Sequence, residues 1–186
     1  MGTAAVILAG GRGTRMGGCD KGWLRYRGRP LIEHVLARIE PQVDAVVISC
    51  NRHLDDYRQL GWPVVEDDDG GSLGPLAGIA AAAAQCRHSW VQLSPCDTPL
   101  LPPDLTARLR SAALAAGAQA AIPTDGLRRH YLCSLVARPA LALVPELLGS
   151  GDLAVRGWLQ RLRLVEVAWT SAEAFVNINT PGQLPD

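Results

Sequence analysis

Val6-Ile7-Leu8-Ala9-Gly10-Gly11-Arg12-Gly13-Thr14-Arg15-Met16-Gly17-Gly18-Cys19-Asp20-Lys21 carries an apolar, strand-length run into a turn with five glycines and ends on the single lysine of the chain. A buried strand that opens into glycine lets backbone N–H groups approach an anion closely, and Arg15 and Lys21 add charge at the same place. Lysine is a compact point charge on a flexible stem, suited to a phosphate whose charge moves during a reaction, whereas guanidinium is a planar fork. A lone lysine also arises by chance in an arginine-rich chain. Its position just past the glycine turn is what points to a nucleotide phosphate.

Outward from this stretch, strand-length apolar runs alternate with helical patterns, the arrangement of parallel βαβ units. Ala4 to Leu8 reads as the first strand. Pro30 opens a helix with Leu31, Val35, Leu36 and Ile39 on one face. Strands are expected at Ala45 to Ser49, Val64 to Glu66 and Trp90 to Ser94, with a small-residue helix from Leu76 to Cys86 between the last two. Pro102 to Ala116 reads as a helix with Asp104 in its first turn, where a carboxylate suits the dipole. Ala120 to Ile122 and Leu132 to Ala137 read as strands, Pro139 to Leu148 and Asp152 to Leu162 as helices, and Leu164 to Trp169 as an edge strand. The expected fold is therefore α/β, a single-domain Rossmann-like doubly wound and mostly parallel sheet over residues 1–186. In such a sheet the ligand sits beyond the carboxyl ends of the strands, where the polar clusters after Leu8, Ser49, Glu66 and Ser94 converge.

At 186 residues the chain suits one well-buried domain. Its net charge of +0 supplies no basic face for nucleic acid and no polybasic tail for a membrane. The apolar runs are far short of a membrane span, and the first one lacks the charged lead of a secretory signal, so a cytoplasmic protein is expected. Five cysteines, none spaced as CxxC, argue against a disulfide framework and a zinc site. Cys19 and Cys96 fall in candidate active-site loops without a histidine or asparagine companion in sequence. His34, His53, His88 and His130 are scattered without metal-ligand spacing.

Two common phosphate motifs fail against the first loop. A Walker loop needs serine or threonine after its lysine, whereas Lys21 is followed by Gly22-Trp23, and a dinucleotide fingerprint begun at Gly11 and Gly13 would need glycine in place of Met16. What fits is the spacing of Leu8-Ala9-Gly10-Gly11, Arg15-Met16-Gly17 and Lys21, which resembles the signature of the nucleotidyltransferase superfamily. Gly28-Arg29-Pro30-Leu31, Asn51-Arg52-His53, Val65-Glu66-Asp67, Gly74-Pro75-Leu76-Ala77-Gly78, Pro95-Cys96-Asp97-Thr98-Pro99 and Phe175-Val176-Asn177-Ile178-Asn179-Thr180-Pro181 narrow the resemblance to the bacterial MobA family of molybdenum cofactor guanylyltransferases. The resemblance implies the nucleotide-diphospho-sugar transferase type of sheet and transfer of GMP from GTP to the terminal phosphate of molybdopterin. Pyrophosphate release and a Mg²⁺ requirement come with it, as does a molybdoenzyme or its chaperone as the recipient of the product.

Nucleotidyl transfer builds negative charge on the α-phosphate and the departing pyrophosphate, so the protein's task is positioning and electrostatics. The resemblance assigns nucleotide contacts to Leu8, Ala9, Gly10 and Lys21, extended to Gly11, and Arg15 faces the phosphates with Lys21. Asp97 ends a strand between prolines that aim its carboxylate into the crevice. Such an oxygen suits Mg²⁺, which takes few carboxylates and leaves places for phosphates, although an Asx turn before Pro99 is the plainer reading of Asp-Thr-Pro alone. By resemblance Asp67 is a nucleotide contact and the loop at Gly74 and Pro75 lines the guanine pocket. Asn177 and Asn179 alternate on an extended segment, so both amides project to one face, toward phosphate or metal.

The chain departs from the family at three places. It has Ser49 where an asparagine commonly ends the second strand, and the next asparagine, Asn51, returns to the same face about 7 Å further on. Arg156 stands where relatives show paired arginines, and Tyr131 follows His130 where proline is usual. Cytidylyl transfer to molybdopterin, nucleotidyl transfer to a sugar phosphate, and a GTP-binding module without turnover are the other readings of the same loop.

Overall fold

A computed structural model describes residues 2–10, 20–66 and 73–178. β1 (Thr3–Leu8) is buried at every position, the pattern of a parallel strand covered on both faces. From Asp20 the chain makes a 3-10 turn over Lys21–Trp23 and a short hairpin, β2 (Arg25–Tyr26) and β3 (Arg29–Pro30), that leads into α1 (Leu31–Ile39). β4 (Ala45–Ser49), α2 (Leu54–Arg58) and β5 (Val64–Val65) follow, then α3 (Pro75–Ala83), β6 (Trp90–Pro95), α4 (Leu105–Ala115) and β7 (Ala120–Thr124). The chain continues through β8 (Leu135–Ala137), α5 (Val144–Ser150), α6 (Val155–Gln160) and β9 (Leu164–Ala168).

The main sheet runs β5-β4-β1-β6-β8-β7-β9. β8 is antiparallel to both neighbours, and every other pairing is parallel, so the carboxyl ends of β1, β4, β6 and β7 share one edge. Residues of β1 alternate between two helical layers. Ala4, Val6 and Leu8 pack with Leu76, Ile79 and Ala82 of α3 and with Trp158 and Leu159 of α6. Ala5 and Ile7 pack with Ile32, Val35 and Ile39 of α1 and Leu105 and Leu109 of α4. This is the doubly wound α/β arrangement expected from the sequence. The strand order reverses between β1 and β6, which opens the crevice at that point of the edge.

The structure departs from the expectation in four places. The hairpin was not anticipated: its turn residues Arg27 and Gly28 have φ of 46° and 78°, a geometry usually announced by Asn-Gly rather than Arg-Gly. Leu132 to Ala137 is not strand throughout, because Tyr131–Cys133 forms a 3-10 turn before β8. The helix expected from Pro139 is 3-10 over Arg138–Leu143 and becomes α-helical only at Val144, and α6 covers only the middle of the Asp152 to Leu162 stretch. Asp104 precedes the first helical residue of α4 rather than lying in its first turn. Among the described residues no helix is long and apolar enough to cross a membrane.

Candidate active site

Leu8 pairs with Ser49 of β4 on one side and Pro95 of β6 on the other. Two further bonds prolong this alignment past the strand ends, from Ala9 N–H to the Ser49 carbonyl at 2.8 Å and from Cys96 N–H to the Leu8 carbonyl at 3.1 Å. The main chain leaving β1 and β6 is thereby held open around a cleft of about 270 Å³ lined by Leu8, Ala9, Gly10, Lys21, Pro75, Pro95, Cys96, Asp97, Leu132 and Asn177.

Lys21 reaches this cleft from its 3-10 turn, and Nζ lies 3.2 Å from Oδ2 of Asp97. The turn is fixed by its neighbour. Oδ1 of Asp20 accepts from the Gly22 N–H at 3.0 Å and from the Tyr57 hydroxyl at 2.7 Å. Tyr57 is fully buried on α2, and burial, followed by the nearby Cys96 and Asp20, pushes its ionisation far up, so its hydroxyl remains a donor. A Cβ on Gly22 would collide with that hydroxyl oxygen, so glycine is needed for the approach.

Asp97 is almost wholly buried and has one oxygen toward Lys21. Its Oδ1 is buried and has no hydrogen-bond partner among the described residues. A buried carboxylate oxygen without a donor is costly unless a cation completes it, and Mg²⁺ binds through one or two carboxylates with water and phosphate supplying the rest. The donor set therefore fits a single-carboxylate Mg²⁺ site, and among the described residues no cluster of three acidic, histidine or cysteine side chains offers a full protein cage. The segment before Ile178 is tied to the same turn. Ile178 N–H donates to the Asp97 carbonyl at 2.8 Å, and the Thr98 hydroxyl donates to Oδ1 of Asn177 at 3.0 Å.

Of the residues expected from sequence, Leu8, Ala9, Gly10, Lys21, Pro75, Asp97 and Asn177 come together in the cleft. Gly74 immediately precedes α3, whose first residue is Pro75. Ser49 is buried and does not line the cleft; a Cβ on Gly78 would strike its hydroxyl, so this contact is where α3 closes on the sheet. Asn51 lies nearer the nucleotide loop, with Nδ2 3.5 Å from where a Gly10 Cβ would stand. Gly11, Arg15, Asp67 and Asn179 lie outside the described residues. Two residues of the site carry no signal in the sequence: Tyr57, whose bond to Asp20 spans 37 positions, and Leu132, which sits on a 3-10 turn and not on the strand its apolar neighbours suggest. The Asp20-x-Gly22 spacing, a carboxylate two residues before a glycine N–H, was the one available signal for the cap. Cys96 lines the cleft, but burial and then the charge of Asp97 push its thiol well above the ordinary range, which leaves it protonated rather than nucleophilic.

The MobA-like NTP transferase domain matches residues 5–167. The chain is 42% identical over 186 residues to a molybdenum cofactor guanylyltransferase of Cupriavidus pinatubonensis, covering 96% of this chain and 92% of that one. It belongs to this nucleotidyltransferase family. A molybdenum cofactor guanylyltransferase of Shewanella loihica is 40% identical over 181 residues, with 96% of this chain and 92% of that protein covered. Among solved structures, molybdopterin-guanine dinucleotide biosynthesis protein A from Archaeoglobus fulgidus superposes with a TM-score of 0.76 at 25% identity, over 96% of this chain and 93% of that one. As a member of this family the chain is a nucleotidyltransferase, and its cleft lies at the β1–β6 switch point.

Proposed function

We propose that the chain transfers GMP from GTP to the phosphate of molybdopterin, with release of pyrophosphate, in a single cytoplasmic domain. The observation that carries this is the placement of Lys21 3.2 Å from Asp97 in the cleft at the strand-order reversal, in a chain of the guanylyltransferase family. Main-chain groups from Leu8 to Gly10 border the site for base and ribose, and the approach of α3 at Gly74 and Pro75 closes its other side. Gly11 and Asp67 join the nucleotide contacts on the strength of the family resemblance, Arg15 by its charge beside the phosphates, and Asn179 by its alternation with Asn177. Asn51, beside Gly10, is the better placed of the two second-strand residues to reach a nucleotide; Ser49 supports α3 from beneath.

Lys21 neutralises charge that grows on the phosphates, and its backbone is held by Asp20 and Tyr57, so little reorganisation is needed at the moment of reaction. Asp97 would hold Mg²⁺ through Oδ1, and a bound Mg²⁺ would polarise phosphate oxygens and orient the leaving group. Asn177, tied to Thr98, presents its amide from the far wall. The ionised phosphate of molybdopterin needs no general base to attack the α-phosphate, which agrees with the lack of a histidine among the described residues that line the cleft. Cytoplasmic placement is supported by the free, buried Cys50, Cys86, Cys96 and Cys133.

The test is pyrophosphate release from GTP and Mg²⁺ with and without molybdopterin. Release that requires molybdopterin and yields a guanine dinucleotide supports the proposal. GTP binding without release under either condition would make the chain a silent GTP module.

A further inference from the structure

We propose that Thr98 is a positioning residue whose hydroxyl turns the Asn177 side chain so that Nδ2, and not Oδ1, faces the Lys21–Asp97 cleft. There Asn177 donates to a phosphate oxygen of a substrate instead of ligating Mg²⁺; this rests on the transfer reaction proposed above. The turn after β6 grips the segment at Asn177 through main chain and side chain together. Ile178 N–H donates to the Asp97 carbonyl at 2.8 Å, and the Thr98 hydroxyl donates to Oδ1 of Asn177 at 3.0 Å. Phe175, two residues before Asn177, is buried and meets Trp169 edge-on with ring centres 5.7 Å apart. The main chain is therefore anchored on both sides of Asn177. The last torsion of an asparagine is broad and roughly two-fold, so an anchored main chain leaves either end of the amide free to enter the cleft.

The burial of Thr98 decides which end it is. Thr98 is 0% exposed, and among the described residues Oδ1 of Asn177 is the acceptor of its hydroxyl. With the amide reversed, Nδ2 would donate to Oγ1 and the buried O–H would be left without an acceptor, a loss that folded proteins avoid. Asn177 itself is exposed and lines the cleft, so with Oδ1 turned to Thr98 it brings two N–H donors there. Mg²⁺ takes oxygen ligands, and an amide nitrogen is not one. A phosphate oxygen is the natural partner. The Asp97 carboxylate repels an incoming phosphate, and an N–H pair on the neighbouring segment offsets that repulsion as Nζ of Lys21 does from 3.2 Å. Thr98 thus acts through Asn177 and touches no substrate itself.

The experiment is a double-mutant cycle of Thr98→Val and Asn177→Ala, with Thr98→Ser as the variant that keeps the hydroxyl. Binding of GTP and of molybdopterin is measured separately by calorimetry, beside pyrophosphate release. Asn177→Ala should weaken binding of one of these two phosphate-bearing substrates by roughly tenfold, the scale of a hydrogen bond to a charged group. Thr98→Val should weaken the same substrate by roughly threefold, the scale of a side chain that must be ordered on binding, and Thr98→Ser should match the parent. In the Asn177→Ala background Thr98→Val should add nothing. The substrate affected identifies the phosphate as the nucleotide's or the acceptor's. Mn²⁺, used as a paramagnetic probe of the metal site, should bind the parent, Thr98→Val and Asn177→Ala with equal affinity. Additive losses, unchanged binding of both substrates, or weaker Mn²⁺ binding by Asn177→Ala each overturns the proposal. If the parent releases no pyrophosphate with molybdopterin present, the transfer reading has failed, and the calorimetric cycle still decides the role of Thr98.

Discussion

The cleft around β1 and β6 is made largely of main chain and short residues, whereas the pocket beyond β7, lined by Thr124, Arg128, Arg129, Tyr131, Arg156 and Glu166, is made of long side chains carried on turns. Leu8, Ala9 and Gly10 are set by strand register and by bonds to Ser49 and Cys96, so what they present to a ligand depends little on their side chains. Arg128, Arg129, Tyr131 and Arg156 owe their positions to an Asx-type loop, a 3-10 turn and a short helix. A site of the first kind tolerates almost no change in spacing; one of the second kind can exchange residues while keeping the fold.

Substitutions on the β1–β6 side should therefore act on turnover, and by graded amounts. The largest effect is expected for Asp97→Asn. The amide lacks the charge that holds a divalent cation, and a catalytic metal supplies several kcal/mol, so Mg²⁺-dependent turnover should fall by about three orders of magnitude with the fold intact. Near-parental turnover across a Mg²⁺ titration would remove Asp97 from the metal and blur the division. Lys21→Ala comes next, with a fall in kcat of about two to three orders, the scale of losing one preorganised donor. Lys21→Arg should rescue poorly, because a planar fork does not replace a point charge. Equal turnover by both variants would show the lysine to be incidental.

Tyr57→Phe should give a smaller, mixed effect. It deletes the 2.7 Å bond to the Asp20 carboxylate without opening the core, so thermal unfolding should report a loss of about 1.5 to 3 kcal/mol. Because Lys21 stands on the turn that Asp20 caps, kcat should drop as well. A stability loss with unchanged kcat would show that the cap supports the fold and not the lysine. The smallest effect is expected at Cys96. Its thiol is held above the ordinary thiol range by burial and the neighbouring Asp97, so the thiolate is not populated at pH 8.5 in the folded protein. Iodoacetamide should leave Cys96 unmodified there, by peptide mass mapping, and react with it once the chain is unfolded; rapid labelling of the folded protein would mean an accessible thiolate in the cleft.

The same division marks what could be read from the sequence. The run from Leu8 to Lys21, Pro75 and Asp97 announced themselves because glycine, proline and isolated charges at strand ends have few structural uses besides turning the chain toward a ligand. Tyr57 did not, since its bond to Asp20 is made across 37 positions by a helix of five residues. The Leu132 to Ala137 run was correctly apolar, yet apolarity carries no strand direction. The short connection from β7, without a crossover helix, returns β8 antiparallel and turns Leu132 into a wall of the cleft. Local pattern thus gave the elements and the glycine-rich signature, while contacts between distant turns, such as that of Tyr57 with Asp20, have no local signature.

Guanylyl transfer to molybdopterin is tested most directly by the choice of base. Guanine carries a carbonyl acceptor at C6 and an amino donor at C2, so a pocket bordered by main-chain groups can reject another base by leaving its own polar groups unpaired, by as much as roughly four orders of magnitude. When GTP, CTP and ATP compete in equal amounts for molybdopterin in the presence of Mg²⁺, mass analysis of the products should show the guanine dinucleotide almost alone. Cytosine dinucleotide in equal or greater amount would contradict the account.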